Sequence, residues 1–413
     1  MRTIFRWIFS LFFVEGLPFA FVTTVSVVLF KNFGWSNTAI AFYTSLFTLP
    51  WFLKPFFAPL LAQLMTKRQF VLLMPCATSV LILLLAFFLK SNFYLCLILF
   101  FIIAFCSSIY DINADGIYLT LLDRKSQAKY VGFGTFAYQS GKLAAQGGLI
   151  GFTSLFFNSL GIYKSWQLAL IVLALFLLLM SYYHYYIVPK EDTNHLNTNR
   201  KISLLHYKEV YLNFLQLPHV LHLSIFTLIF LLSENQLMKI VPLFLMDIKE
   251  HGGLNFTTGS VSILLGEVGV GGFLCGALLS GVLLNNMRFS TYVIACAILS
   301  LIVNLSYIGL SMTLYHSFFI MACVIFIAQF LYGMSNSAYM LFIFQHFGKG
   351  QHAMSLYAVG TAILGLGMSG AGAISGYMQW LLNYTGFFVW IAVSQVLVVA
   401  YSYFLLKKDI ITC

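Results

Sequence analysis

The stretch FYLCLILFFIIAFCSSIYDINADGIYLTLL, residues 93–122, decides the class of this chain. Coiled as a helix it would run about 45 Å, more than the hydrocarbon thickness of a bilayer. Residues 93–110 carry no charge, and then Asp111 and Asp115 follow, four apart and so on one helical face with Ser107. Lipid accepts such a run but rejects carboxylates. The segment therefore reads as a membrane span with one face turned away from lipid.

The same pattern repeats along the chain. Apolar runs of spanning length fall near 4–30, 38–63, 69–89, 93–122, 130–158, 165–188, 218–246, 257–284, 289–311, 315–345, 352–382 and 386–406, twelve in all. Connections are short except at 189–217, which carries Glu191, Asp192, Arg200, Lys201, Lys208 and Glu209. The expected architecture is all-α, with residues 1–188 as one six-helix bundle, 189–217 as a cytoplasmic linker and 218–413 as a second bundle.

Composition agrees. The chain is 61% hydrophobic and 8% charged over 413 residues, against roughly 25% charged in soluble domains. No soluble core of this size could hide that apolar surplus. The formal charge of +10 does not imply nucleic acid, because the bases sit at the ends of apolar runs and form no patch. On one side lie Arg2, Arg6, Lys67, Arg68, Arg124, Lys125, Lys129, Lys190, Arg200, Lys201, Lys208, Arg288, Lys349, Lys407 and Lys408. The other side has Lys31, Lys90, Lys164 and Lys249. That asymmetry places both termini in the cytoplasm. The basic start of the chain is read as an uncleaved first span, since Glu15, Gly16 and Pro18 interrupt any signal-peptide pattern.

Eight ionisable side chains fall inside spans: Glu15, Asp111, Asp115, Glu234 and Glu267, with Lys54, Lys142 and Lys239. Each would cost roughly 2.5–3.5 kcal/mol at the bilayer centre. They are expected to line a polar interior, to pair, or to carry protons. Asp111 and Asp115 could share a proton, or could bond neighbouring helices as structural carboxylates. Glu15 and Lys54 lie at similar depth in spans one and two, which suggests an ion pair, with a coupling role for Glu15 as the alternative. Pro50, Pro55 and Pro59 should bend span two and free carbonyls that a buried lysine could satisfy.

Gln139, Lys142 and Gln146 recur at i, i+3 and i+7 and form a polar stripe in span five. Lys142 could hold an anionic solute, or could pair. Span seven offers Ser233-Glu234-Asn235-Gln236 and Lys239; Glu234 is a proton-carrier candidate and Gln236 a solute contact. Asn336 in span ten could bond solute or serve packing. Six of the seven cysteines lie within apolar runs without CxxC spacing and read as packing residues. No HExxH, GxSxG, Walker or metal-spaced set occurs, so neither an enzyme, a metal site nor a cofactor is expected.

The two halves are weakly alike. Glu15 precedes Ser36-Asn37-Thr38, which opens span two, much as Glu234 precedes Asn255-Phe256-Thr257-Thr258, which opens span eight. Glycines cluster at Gly141, Gly147, Gly148 and Gly151 and again at Gly365, Gly367, Gly370, Gly372 and Gly376. Parallel duplication of six-helix units is the plan of the major facilitator superfamily.

Within that plan an ordered set of motifs stands out. It comprises Glu15-Gly16-Leu17-Pro18, Leu49-Pro50-Trp51, Lys54-Pro55-Phe56 with Pro59, and Asp111-Ile112-Asn113-Ala114-Asp115-Gly116. Leu121-Leu122-Asp123, Gln127-Ala128, Val131-Gly132, Gly370–Gly376 and Gly386-Phe387-Phe388 complete it. The chain resembles the AmpG-like muropeptide permeases, grouped with peptide and acetyl-coenzyme A transporters and some siderophore importers. It departs from them at Ala62-Gln63, where an Asp is usual, and at Gln139, where many relatives carry Arg.

The resemblance implies a monomeric secondary importer in a bacterial inner membrane, coupled to protons. A muropeptide or peptide leads as substrate, with a siderophore or acyl-coenzyme A behind. It also implies that spans five and eight meet, so that Lys142 could pair with Glu267. Lys54 and Lys239 are further gating or ion-pair candidates. A non-transporting membrane receptor or scaffold is the rival from another class.

Overall fold

The computed structural model describes residues 2–90, 92–189, 212–314, 317–347, 353–408 and 410. Most of the expected linker, including all its charged residues, lies outside the described residues, as do Lys349 and Cys413.

Among the described residues the chain is helical and makes twelve spans. Spans one, three, four and six are Ile4–Asn32, Lys67–Phe88, Phe93–Leu121 and Phe157–Ile187. Spans seven to ten are Val220–Met246, Thr258–Leu284, Phe289–Thr313 and Phe318–Phe347. One long stretch, Leu356–Lys407, turns at Asn383 (φ 57°, ψ −178°) and so contains spans eleven and twelve.

Spans two and five are built in pieces. Span two is Asn37–Leu46 followed by Leu49–Leu64. Pro50 has no N–H to continue the ladder. Just before it, the Thr48 amide bonds the Ser45 carbonyl at 3.1 Å, which takes the Thr44 carbonyl out of the helix. Span five is Arg124–Leu143, a π-helical turn Ala144–Leu149, and Ile150–Leu155. Comparable π turns interrupt span one at Phe21–Val25 and span eight at Leu264–Val268. Such turns widen a helix and often mark working positions.

Local chemistry sets the starts. Ser36 accepts from the Ala39 amide at 3.3 Å, and Thr257 from Ser260 at 3.2 Å. These are the two stretches whose sequences match between halves. Thr66 and Gln69 form a capping box at span three, and Asn92 caps span four.

The chain divides into two compact units. One is Met1–Leu29 with Leu53–Ser203; the other is Phe30–Phe52 with Leu204–Cys413. The end of span one and the first half of span two thus group with the C-terminal residues. In the first unit, spans one and five touch backbone to backbone. A Cβ on Gly16 would sit 2.1 Å from the Tyr138 carbonyl oxygen, and one on Gly141 2.2 Å from that of Phe13. In the second unit, Gly376 of span eleven lies against span two, where a Cβ would come 2.8 Å from the Asn37 carbonyl oxygen.

Span one has 83% of its most apolar window buried and span seven 72%, while span ten has 33%. The two equivalent spans are thus the enclosed ones. Side chains such as Phe87, Leu179, Leu278 and Phe319 stand well exposed on the outer spans. An apolar surface of that extent needs lipid around it.

Candidate transport site

In the first unit, the charged side chains of spans one, two and four converge. Restarting span two after its break turns Lys54 toward span four, and its ammonium lies 2.5 Å from the Asp111 carboxylate. Glu15 is buried, and Asp111, Asp115 and Lys54 all act on it electrostatically. One Glu15 oxygen, Oε2, has no hydrogen-bond partner among the described residues. The lysine expected to pair with Glu15 thus contacts Asp111, while Glu15 stands beside the pair.

Exposure is graded across the cluster. Asp115 is exposed, Asp111 and Lys54 are mostly covered, and Glu15 is buried. Three carboxylates surround one ammonium. The group can therefore take a proton on one carboxyl and still keep Lys54 paired.

Tyr110 extends the arrangement. Its hydroxyl donates to the Leu11 carbonyl, one turn before Glu15, at 3.1 Å. His184 of span six is buried, stacks on the Tyr110 ring at 6.2 Å and lies against the Ser10 backbone of span one. The sequence reading missed His184 because a lone histidine near a span end looks interfacial.

Further along span five, Gln139 is buried with Oε1 unpartnered. Gln146, within the π turn, donates to Thr24 Oγ1 at 3.2 Å, and Thr24 lies in the π turn of span one. Lys142 is half-buried, two residues before its π turn.

The second unit places the other candidates. Span seven breaks after Ile229, and Glu234 falls in the first turn of the restarted helix Leu232–Met246, where the helix dipole favours a carboxylate. Ser300 of span nine hydrogen-bonds it, and its Oε2 lacks a partner among the described residues. Gln236 is engaged at both ends, accepting from Trp390 Nε1 at 3.0 Å and donating to the Leu232 carbonyl at 3.3 Å. Glu267 lies exposed within the π turn of span eight, and Asn336 is half-buried.

Lys239 is buried and donates to the Thr44 carbonyl at 3.1 Å. That is the carbonyl released by the break before Pro50. The missing Pro50 N–H would have met the Leu46 carbonyl, so the carbonyl that Lys239 of span seven answers is released by the tightened turn at Ser45–Thr48 and not by the proline itself.

A second ion pair was not foreseen. Lys31, at the end of span one, pairs with Asp247, at the end of span seven. Asn37 accepts from Lys31 at 2.8 Å, and its amide nitrogen faces Asp247 at 2.8 Å, Tyr384 at 3.0 Å and Gln379 at 3.1 Å. The Tyr384 hydroxyl also donates to Asp247. Five side chains from five spans close one network, and in the sequence Lys31 and Asp247 had looked like loop charges.

With the geometry in place, comparison decides the family. A signature described as Major Facilitator Superfamily matches residues 8–376. The chain belongs to the major facilitator superfamily. Among solved structures of this fold, a D-xylose–proton symporter aligns with 97% of this chain and 97% of its own, at TM-score 0.74 and 13% identity. A bacterial homologue of the human lysosomal transporter Spinster, inward-facing and occupied, aligns over 97% and 95%, at TM-score 0.67 and 14% identity. No curated protein sequence matches. The chain is a secondary transporter, not an enzyme.

Proposed function

We propose that this transporter imports a small polar solute, a muropeptide or peptide in the first place, across a bacterial inner membrane in exchange for the energy of a proton gradient. The single observation behind the coupling is the surplus of carboxylate in the first unit, where Glu15, Asp111 and Asp115 attend one ammonium, Lys54. Such a group is costly to keep fully ionised away from water. It gains by accepting a proton from the exposed side, at Asp115, and passing it inward.

Solute contact is assigned to Lys142, Gln139 and Gln146. The Gln139 carbonyl oxygen is buried and unpartnered, so a donor on the solute would satisfy it. Residues 1–188 and 218–413 serve as the two bundles, following the superfamily's plan, and the termini lie in the cytoplasm by the lysine and arginine count. Support for proton coupling also comes from the D-xylose–proton symporter, whose name records such coupling on the same fold. The choice of muropeptide or peptide rests on the motif resemblance.

The experiment is uptake into proteoliposomes under an imposed pH gradient, with peptidoglycan fragments and short peptides as solutes. Accumulation above the outside concentration, abolished by a protonophore, is the expected result. Equilibration that ignores the gradient would reject coupling, and no entry of either solute class would reject the substrate assignment.

A further inference from the structure

A groove in the first unit, lined by none of the charged cluster's side chains, carries a separate inference. Spans one and six leave a hollow of about 480 Å³ between them, along the start of the chain's first helix. Phe9, Phe13, Phe176 and Met180 form its walls, and Arg6 and Tyr183 stand at its rim. The walls are built from rings in contact: Phe9 stacks on Phe13 at 5.8 Å, and Phe176 meets Phe13 edge-on at 5.9 Å.

Two features at the rim point to an occupant. Arg6 is exposed and makes no hydrogen bond or ion pair among the described residues. It is a permanent cation at the mouth of an almost wholly apolar hollow. Beside it lies an interfacial belt of Tyr182, Tyr183, Tyr185 and Tyr186 at the end of span six. Arg68 is tied into that belt, donating to the Tyr185 carbonyl at 2.6 Å and the Val188 carbonyl at 3.1 Å. Arg68 is thus spent on the helix end, whereas Arg6 is available. Tyrosine belts mark headgroup depth, and bases on this face attract anionic lipid.

Arg6 and Phe13 are seven residues apart, so the groove runs about 10 Å into the apolar layer from the headgroup level. A hollow with a cation at the headgroup end and rings below it matches one molecule class: a diacyl phospholipid with an anionic headgroup. We propose that spans one and six hold such a lipid, its phosphate on Arg6 and the start of one acyl chain along Phe9, Phe13 and Met180. A zwitterionic lipid offers the same chain but less net charge to the guanidinium, so the site selects for headgroup. Span one also carries Glu15, two residues beyond the groove wall at Phe13, which makes the lipid a support for the helix that holds the carboxylate.

The test is native mass spectrometry of the full-length protein in detergent, titrated with phosphatidylglycerol or phosphatidylethanolamine. Wild type should bind phosphatidylglycerol several-fold more tightly. Arg6→Gln should lose roughly fivefold for phosphatidylglycerol and little for phosphatidylethanolamine, while Arg6→Lys should keep most of the preference. Met180→Trp, which fills the groove and leaves the cation, should weaken both lipids. Thermal melting of each variant in detergent confirms that it is folded. Equal affinity of wild type for the two lipids, or an Arg6→Gln variant that retains the preference, would overturn the headgroup assignment. Unchanged binding by a folded Met180→Trp variant would overturn the placement of the acyl chain.

Discussion

The two ion pairs of this transporter sit in opposite kinds of surroundings. Around Lys31 and Asp247 the polar groups are matched: Asn37 bonds both charges, and Tyr384 and Gln379 close the rest. Around Lys54 and Asp111 they are not, since two further carboxylates crowd in and a buried oxygen of Glu15 goes unbonded. A matched network gains nothing from a proton and loses hydrogen bonds on moving. It fixes helix ends. An unmatched cluster changes its balance each time a proton or a solute arrives. The first has the make-up of a fastening, the second of a working part.

That contrast can be broken at its strongest point first. Lys54→Gln leaves Asp111 without its cation, and removing one partner of a buried pair costs about 3–5 kcal/mol. A marked drop in the detergent melting temperature is expected, together with loss of uptake. Adding Asp111→Asn to that variant should restore most of the melting temperature but none of the gradient-driven uptake. Recovery of both would make the pair purely structural.

Asp247→Ala strips Lys31, Asn37 and Tyr384 of their shared acceptor. The expected cost is about 2–4 kcal/mol, read as a lower melting temperature. The exchanged pair Lys31→Asp with Asp247→Lys should recover part of it. If the single variant melts like wild type, the network is not a fastening.

A smaller effect should follow from Lys239→Met, which keeps the bulk of the side chain and leaves the Thr44 carbonyl without its donor. About 1–3 kcal/mol is expected, with the kink of span two as the element affected. A melting curve unchanged from wild type would mean that water already serves that carbonyl.

These contacts also show what a sequence can and cannot disclose. Span number and helix class were legible, because run length acts locally along the chain; of the eight in-span charges expected to be enclosed, Glu15, Asp111 and Lys239 are buried, whereas Asp115 and Glu267 are exposed. The break in span two was legible too, since Pro50 lacks the N–H that a helix needs there. Its consequence was not. The lysine that answers the break is Lys239, 195 positions from Thr44, and no local pattern reports which lysine a carbonyl will meet.

The Lys54 contact makes the same point more finely. Depth arguments brought Glu15 and Lys54 to the same level, but the rotation of each helix decides the partner, and that put Asp111 on the ammonium. Lys31 and Asp247 were harder still. At span ends, charges usually face water, and only the joining of five helix termini converts these two into an enclosed pair. The π turns at Phe21–Val25, Ala144–Leu149 and Leu264–Val268 left no sequence signal beyond their glycines and polar residues.

The smallest change in stability should accompany the largest change in coupling. Glu15→Gln keeps the shape of the side chain, removes one charge from a crowded site, and should shift folding stability by less than about 1 kcal/mol. Gradient-driven uptake into proteoliposomes, measured beside solute exchange without a gradient, then tests the central claim directly. The variant should exchange solute but fail to accumulate it when a pH gradient is imposed. Accumulation at the wild-type level would contradict the claim that the carboxylate cluster of the first unit carries the coupling proton.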